Sequence, residues 1–344
     1  MSSFNSRRFL RSCVVGLAMF VVVAKPADTL GQRKSSARPA DKGVRFGDED
    51  VQLWQVGIRI RANGDCRGIY ATAPIPTNWP EQRVEILEED LSPEVRSLTY
   101  RTLENGVKQM IVTIPRLAAG KTAYALVTVE VRRKQILAPE NVRLFAKPQK
   151  MPTAVRKFLT SSPYIETRNR EIKLLARRLL RDLPETTPIW DQVAVMYDWV
   201  RDNIEYENGK LKGAAAALKD KTGDCEELTS LFIALCRING IPARTVWVPN
   251  HCYPEFYLQD DYGNGYWIPC QAAGTRDFGS MPDTRPVLQK GDNFKVPEFR
   301  EKKRYVAEYL RTQSVKGLRP TVSFVRKTVA GEDKKPAFGG FGGF

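Results

Sequence analysis

Six cysteines and a single histidine are the side chains of this sequence best suited to nucleophilic and acid–base chemistry. The histidine is His251. It follows Cys225 by 26 residues, and Cys225 opens the run Gly223-Asp224-Cys225-Glu226-Glu227-Leu228. A thiolate is a strong nucleophile, and an imidazole within hydrogen-bond reach both generates it and returns a proton to the leaving group. With one imidazole in the chain, any such chemistry must use His251. Other constellations are weaker. No Cys-x-x-Cys pair occurs, and neighbouring strand residues face opposite ways, so a zinc site is disfavoured. Cys225 and Cys236 share one predicted helix and stand about 16 Å apart by its rise, too far to bridge. Cys66 has no evident partner. The sequence holds no phosphate loop, nucleotide fingerprint or paired-carboxylate motif, and no cofactor is expected.

The elements that must carry the pair are readable. Leu228, Leu231, Phe232, Leu235 and Ile238 recur at helical spacing and define a buried face. Gly240 is placed to cap the helix at C′, and Pro242 blocks its continuation. Thr222-Gly223-Asp224 supplies turn residues at the other end, which puts Cys225 in the first helical turn. There the unpaired amides and the helix dipole favour a thiolate. The same amides suit the oxyanion formed when an acyl carbon is attacked.

Downstream, residues 250–258 and 266–271 read as two strands around the turn-rich run 259–265. A hairpin centred on Asp261 places His251 opposite Gln271 on one face. It places Cys252 opposite Cys270 on the other, at a separation compatible with a disulfide. A one-residue slip would separate both pairs.

Gly223-Asp224-Cys225, the helix ending in Arg237-Ile238-Asn239-Gly240-Ile241-Pro242-Ala243-Arg244, His251 followed by Glu255, and Trp267 four residues before Gln271 resemble the transglutaminase-like superfamily. The resemblance covers roughly residues 160–280. It implies a papain-like α+β fold in which a helix-borne cysteine faces a sheet bearing the histidine. It also implies a cysteine acyl-enzyme mechanism without a cofactor, with Cys225 as nucleophile and His251 as base. The chain departs from the family at Gln271, where an aspartate is usual, and at Cys252-Tyr253, where Ala-Trp is usual. An amide can orient the imidazole but adds no charge; Asp260, Asp261 or Asp277 would replace it only in another hairpin register.

The expected fold class is therefore α+β, an all-β sandwich-like domain followed by a papain-like transglutaminase core. Residues 1–24 read as a signal peptide, from the basic Arg7, Arg8 and Arg11, the apolar run Val14–Val23, and small residues before a cleavage point. An N-terminal membrane anchor is the alternative, and either places the chain in the periplasm or outside the cell. Residues 25–49 read as a disordered basic linker. Period-two alternation at Val56, Ile58 and Ile60, with similar runs to Val131, marks residues 50–138 as the sandwich, with a tight turn at Asn105-Gly106. Residues 139–159 read as a second linker, 160–285 as the transglutaminase-like domain and 286–329 as a C-terminal extension. The Gly/Phe-rich tail 330–344 cannot bury enough surface to order itself. Residues 172–183 carry an apolar stripe dressed with arginines, which fits a domain helix with a solvated basic face, with a membrane-surface helix as the alternative. The net charge of +15 over 344 residues favours acidic partners such as anionic envelope polymers. No nucleic-acid motif appears. Two functions fit: an exported enzyme acting on protein or peptide amide bonds by amine transfer or hydrolysis, or a non-catalytic envelope or matrix binding module on the same fold.

Overall fold

The computed structural model describes residues 43–314 and 317–329. The expected signal peptide, most of the 25–49 linker and the tail lie outside the described residues. The first strands are β1 (Arg45–Arg61), β2 (Cys66–Ile75), β3 (Gln82–Leu91), β4 (Ser97–Thr102), β5 (Lys108–Leu117) and β6 (Thr122–Leu137). A short strand β7 (Phe145–Ala146) and helices α1 (Thr153–Arg156), α2 (Arg170–Arg181) and α3 (Ile189–Asn203) follow. Next come β8 (Glu205–Tyr206), α4 (Ala214–Asp220), β9 (Thr222–Gly223) and α5 (Cys225–Ile238). The chain continues through β10 (Ala243–Val248), β11 (His251–Asp260), β12 (Gly265–Pro269), β13 (Gln289–Lys290), β14 (Tyr309–Ser314) and β15 (Thr321–Thr328). The fold is α+β.

The alternation read from the sequence produces the sandwich. Val56, Ile58 and Ile60 of β1 are buried while Arg59 and Arg61 face solvent. Each buried aliphatic side chain of this kind contributes about 1.5–3 kcal/mol relative to exposure. Two four-stranded antiparallel sheets result, ordered β15-β1-β6-β3 and β14-β2-β5-β4. Their inner faces share one apolar core, in which Val56 and Val127 meet Ile69 and Met110. At the β4–β5 connection Asn105 and Gly106 adopt φ of 62° and 76°, the left-handed conformations that these two residue types tolerate best.

Three domain boundaries move. β1 begins at Arg45, so the linker expected through residue 49 ends earlier. The 139–159 segment is not a free linker, because Val155 and Phe158 are buried and β7 pairs with β11. The C-terminal extension is not an appendage either. β14 pairs with β2 and β15 with β1, completing one edge of each sandwich sheet, while β13 pairs with β10. Strand pairing between residues so distant in sequence leaves no periodicity signal.

In the second layer, a sheet ordered β12-β11-β10-β13 lies against α5. The expected stripe on α5 proves too narrow. Every residue from Glu227 to Arg237 is buried, because α2, α3 and α4 pack around the helix on the sides the sheet leaves open. Its C-terminus ends as expected: Gly240 takes φ 75°, its N–H donates to Arg237 O, and Ile241 N–H donates to Cys236 O. This pairing satisfies carbonyls the helix leaves free.

Candidate active site

Cys225 is the first residue of α5. The sequence Asp224-Cys225-Glu226-Glu227 is a capping box. The Asp224 carboxylate accepts the amides of Glu226 and Glu227, and Glu227 Oε2 accepts Asp224 N–H at 3.1 Å. Glu227 also accepts the amides of Lys212 and Gly213, which fastens the preceding loop to the helix start. Gly223 makes this possible, since a Cβ there would fall 2.5 Å from Glu227 Cβ. A carboxylate three residues after an acidic cap is a sequence signal for this arrangement that reading the segment as turn residues missed. The capping also limits the oxyanion proposal. Glu226 and Glu227 N–H are taken by Asp224, and Leu228 N–H donates to Asp224 O. The Cys225 amide is the helix-start donor left for an oxyanion.

His251 begins β11, immediately after the two-residue turn Pro249-Asn250. Its ring neighbours the Cys225 side chain closely enough for each to shift the other's ionisation, and Nε2 lies 2.9 Å from Gln271 Oε1. Because a carbonyl oxygen only accepts, Nε2 carries the proton and Nδ1 is left for the sulfur. The structure thus brings Cys225, His251 and Gln271 together, although not in the register expected. Glu255 pairs with Pro269 and Gln259 with Gly265, two residues off the hairpin centred on Asp261. Asp260 causes the shift. Its carboxylate accepts the amides of Tyr262 and Asn264, the Asn264 side-chain N–H and the Tyr266 hydroxyl, holding a five-residue loop. A slip of two preserves the face, so Gln271 still falls on the side of His251.

Beyond Pro269 the ladder ends, and Gln271 is placed from α3 instead. Gln271 N–H donates to Asp277 O at 2.8 Å. The Tyr197 hydroxyl donates to Gln271 O at 2.7 Å, and Arg201 Nη1 donates to the same oxygen at 2.9 Å. Arg201 also holds Ala272 O and Gly274 O. Neither Tyr197 nor Arg201 was singled out from sequence as a site residue, since their contacts with Gln271 span 74 and 70 positions. Asp260, Asp261 and Asp277 do not replace Gln271 at the ring.

The Cys252–Cys270 disulfide is not formed; both are free thiols, as are Cys66, Cys225 and Cys236. The shifted register explains this. Cys270 N–H bonds to Pro254 O, so the two cysteines are diagonal neighbours, roughly 7–8 Å apart and beyond the reach of a bridge. Cys252 instead turns toward the helix start. Its thiol donates to Cys225 O at 3.6 Å and hydrogen-bonds to the Cys225 sulfur.

These contacts set the electrostatics. The hydrogen bond from the Cys252 thiol is the largest influence on Cys225. Burial opposes it, and the His251 hydrogen bond and charge add to it, so the Cys225 thiol is drawn down to about 4. Burial pulls His251 down, but the bond to Cys225, its charge and the bond to Gln271 outweigh this and leave the imidazole raised. Thiolate and imidazolium stabilise each other. Beside them, Glu226 forms an ion pair with Arg304 of the C-terminal extension, whose guanidinium lies 5.1 Å from the Trp247 ring centroid. A cavity of about 980 Å³ lies elsewhere, between α2 and α4 with Leu174, Arg178 and Lys219 among its lining. We place the chemistry at Cys225 because proton-exchanging groups converge there.

Glu255, which the resemblance pairs with His251, lies farther along β11 and takes no part in the site. It binds Lys290 at 2.5 Å and Arg244 at 2.8 Å. Trp267 packs under the Arg244 guanidinium, 4.0 Å from its ring centroid.

Residues 175–272 match the transglutaminase-like superfamily. The chain is 22% identical over 238 residues to an uncharacterized protein of Haemophilus influenzae, covering 58% of this chain and 62% of that protein. It is also similar in fold to a candidate cysteine protease from Cytophaga hutchinsonii. The TM-score is 0.57 at 16% identity, covering 85% of this chain and 94% of that one.

Proposed function

We propose that the protein is an exported cysteine enzyme that cleaves amide bonds in proteins or peptides through a thioester at Cys225. One observation carries this reading: the Cys225 thiol and the His251 imidazole act on each other's ionisation, and the imidazole Nε2 is held by Gln271. The thiolate attacks the carbonyl carbon, and the Cys225 amide receives the developing oxyanion. The imidazolium protonates the departing amine, and the neutral ring then deprotonates the acceptor. Gln271 fixes the ring as an amide does in papain-type sites, without supplying charge. Water is the acceptor we put first, in line with the protease description of the Cytophaga hutchinsonii structure. A primary amine is the second, which would make the product a cross-link. Export rests on the N-terminal basic and apolar pattern, and among the described residues no helix is long and apolar enough to cross a membrane.

The test combines a glutamine-rich protein with a fluorescent primary amine and the purified protein, and follows both by mass spectrometry. Cleaved peptides or released ammonia without label support hydrolysis; label on glutamine supports amine transfer. Absence of both, with iodoacetamide reacting equally slowly with wild type and His251→Ala, would establish the non-catalytic binding module instead.

A further inference from the structure

We propose that Cys225 and Cys252 form a reversible modification site, in which a hydroperoxide oxidises Cys225 and Cys252 resolves the product to a Cys225–Cys252 disulfide. The placement carries the argument. Cys252 sits on β11 against the first turn of α5, with its thiol 3.6 Å from Cys225 O and hydrogen-bonded to the Cys225 sulfur. Cys225 is partly exposed, whereas Cys252 is 1% exposed. An oxidant therefore meets Cys225 first. Cys270, the partner expected from sequence, lies one pair further along the hairpin with its thiol directed at Pro254 O.

The chemistry balances in two steps. The Cys225 thiolate attacks one peroxide oxygen; the S–O bond forms, the O–O bond breaks, and the departing alkoxide or hydroxide takes a proton from His251. Sulfur is oxidised by two electrons and the peroxide reduced by two. The Cys252 sulfur then attacks the sulfenic sulfur. The S–S bond forms, the S–O bond breaks, and hydroxide leaves as water with the Cys252 proton. Burial and the adjacent Cys225 thiolate hold the Cys252 thiol protonated in the resting site. Once Cys225 is a neutral sulfenic acid, that repulsion is gone. A dithiol reductant reverses the bridge by exchange. While it stands, the nucleophile is blocked and protected from irreversible oxidation.

The inference rests on the thiolate at Cys225, not on acyl transfer, so disulfide mapping reports on it even if no amide substrate is turned over. Reduced protein is treated with hydrogen peroxide until Cys225 no longer labels with iodoacetamide, then digested without reduction. The expected result is a Cys225–Cys252 linked peptide, with dithiothreitol restoring more than about 80% of the labelling, as a reversible bridge requires. Cys252→Ala and Cys252→Ser, each first shown to label at Cys225 before oxidation, are expected to end as sulfinic or sulfonic acid at Cys225, with at least fivefold less recovery. Equal recovery in wild type and both variants, or sulfinic Cys225 beside free Cys252 in the wild type, would overturn the proposal.

Discussion

Two clusters of buried charge with opposite character lie along β11. At its start His251 and Cys252 meet the thiolate that begins α5. Farther along, Glu255 binds Lys290 and Arg244, Lys290 reaches Glu81 at 2.6 Å, and Arg133 joins Glu81 at 3.2 Å and the Tyr253 hydroxyl at 3.1 Å. Arg133 is 0% exposed and Lys290 2%. In that network burial resists the charge on Glu255, but Lys290 and Arg244 overcome it and hold the carboxylate down at about 2. Every charge there has a fixed partner, and the strands it joins, β6, β10, β11 and β13, are tied as a unit. At the active site the partners are a thiol and an imidazole, groups that can pass a proton to and from a substrate during acyl transfer. The difference teaches that buried charge alone does not mark chemistry. What marks it is ionisation that depends on a partner able to give the proton back.

Substitutions in the two clusters should therefore separate activity from stability. Cys225→Ala is expected to abolish labelling at this position and lower turnover by about 10⁴-fold or more, with the melting temperature unchanged; a large loss of stability would mean the two clusters are not distinct. Lys290→Met leaves Glu255 and Glu81 facing Arg244 and Arg133 without their shared cation. It should cost about 3–5 kcal/mol in urea unfolding while the rate of Cys225 labelling in the surviving folded protein holds. Gln271→Ala should reduce turnover by about 100-fold through a misoriented imidazole at little cost in stability, and Gln271→Asp should restore much of it while moving the alkaline limb of the pH profile upward. Asp224→Ala removes the cap and should lower stability by about 1 kcal/mol, measured by thermal unfolding.

The smallest expected effect is in the pH response. A lowered thiol pKa means that the thiolate persists above it, so labelling of Cys225 should stay near its neutral rate down to about pH 5. A raised imidazole pKa means that the imidazolium is lost as pH rises through it, so turnover should fall on the alkaline side while labelling continues. Labelling that climbs tenfold between pH 6 and 8.5 would describe an ordinary thiol and remove the contrast between the clusters.

Much of the site was legible because its determinants are local. Apolar spacing and the Gly240–Pro242 stop defined α5, and alternation defined the face of His251. Parity explains why Gln271 was found despite the wrong register: a slip of two residues keeps a side chain on its face. The same slip undid the Cys252–Cys270 pairing, since a disulfide depends on distance as well as on side. The role of Asp260 in setting the loop was out of reach because composition shows a turn but not its length.

From the chain alone came the nucleophile candidate on its helix, the lone imidazole on its strand and the alternating strands of the sandwich, each a matter of side-chain period and local backbone preference. Only the folded molecule showed that Arg201 and Tyr197 position Gln271, that Cys252 faces the nucleophile, that the C-terminal strands complete both sheets, and that Glu255 belongs to a separate ion-pair network. These depend on contacts between residues tens to hundreds of positions apart. Such contacts are selected by burial and by the pairing of polar groups in three dimensions, and they leave no periodic trace in one sequence.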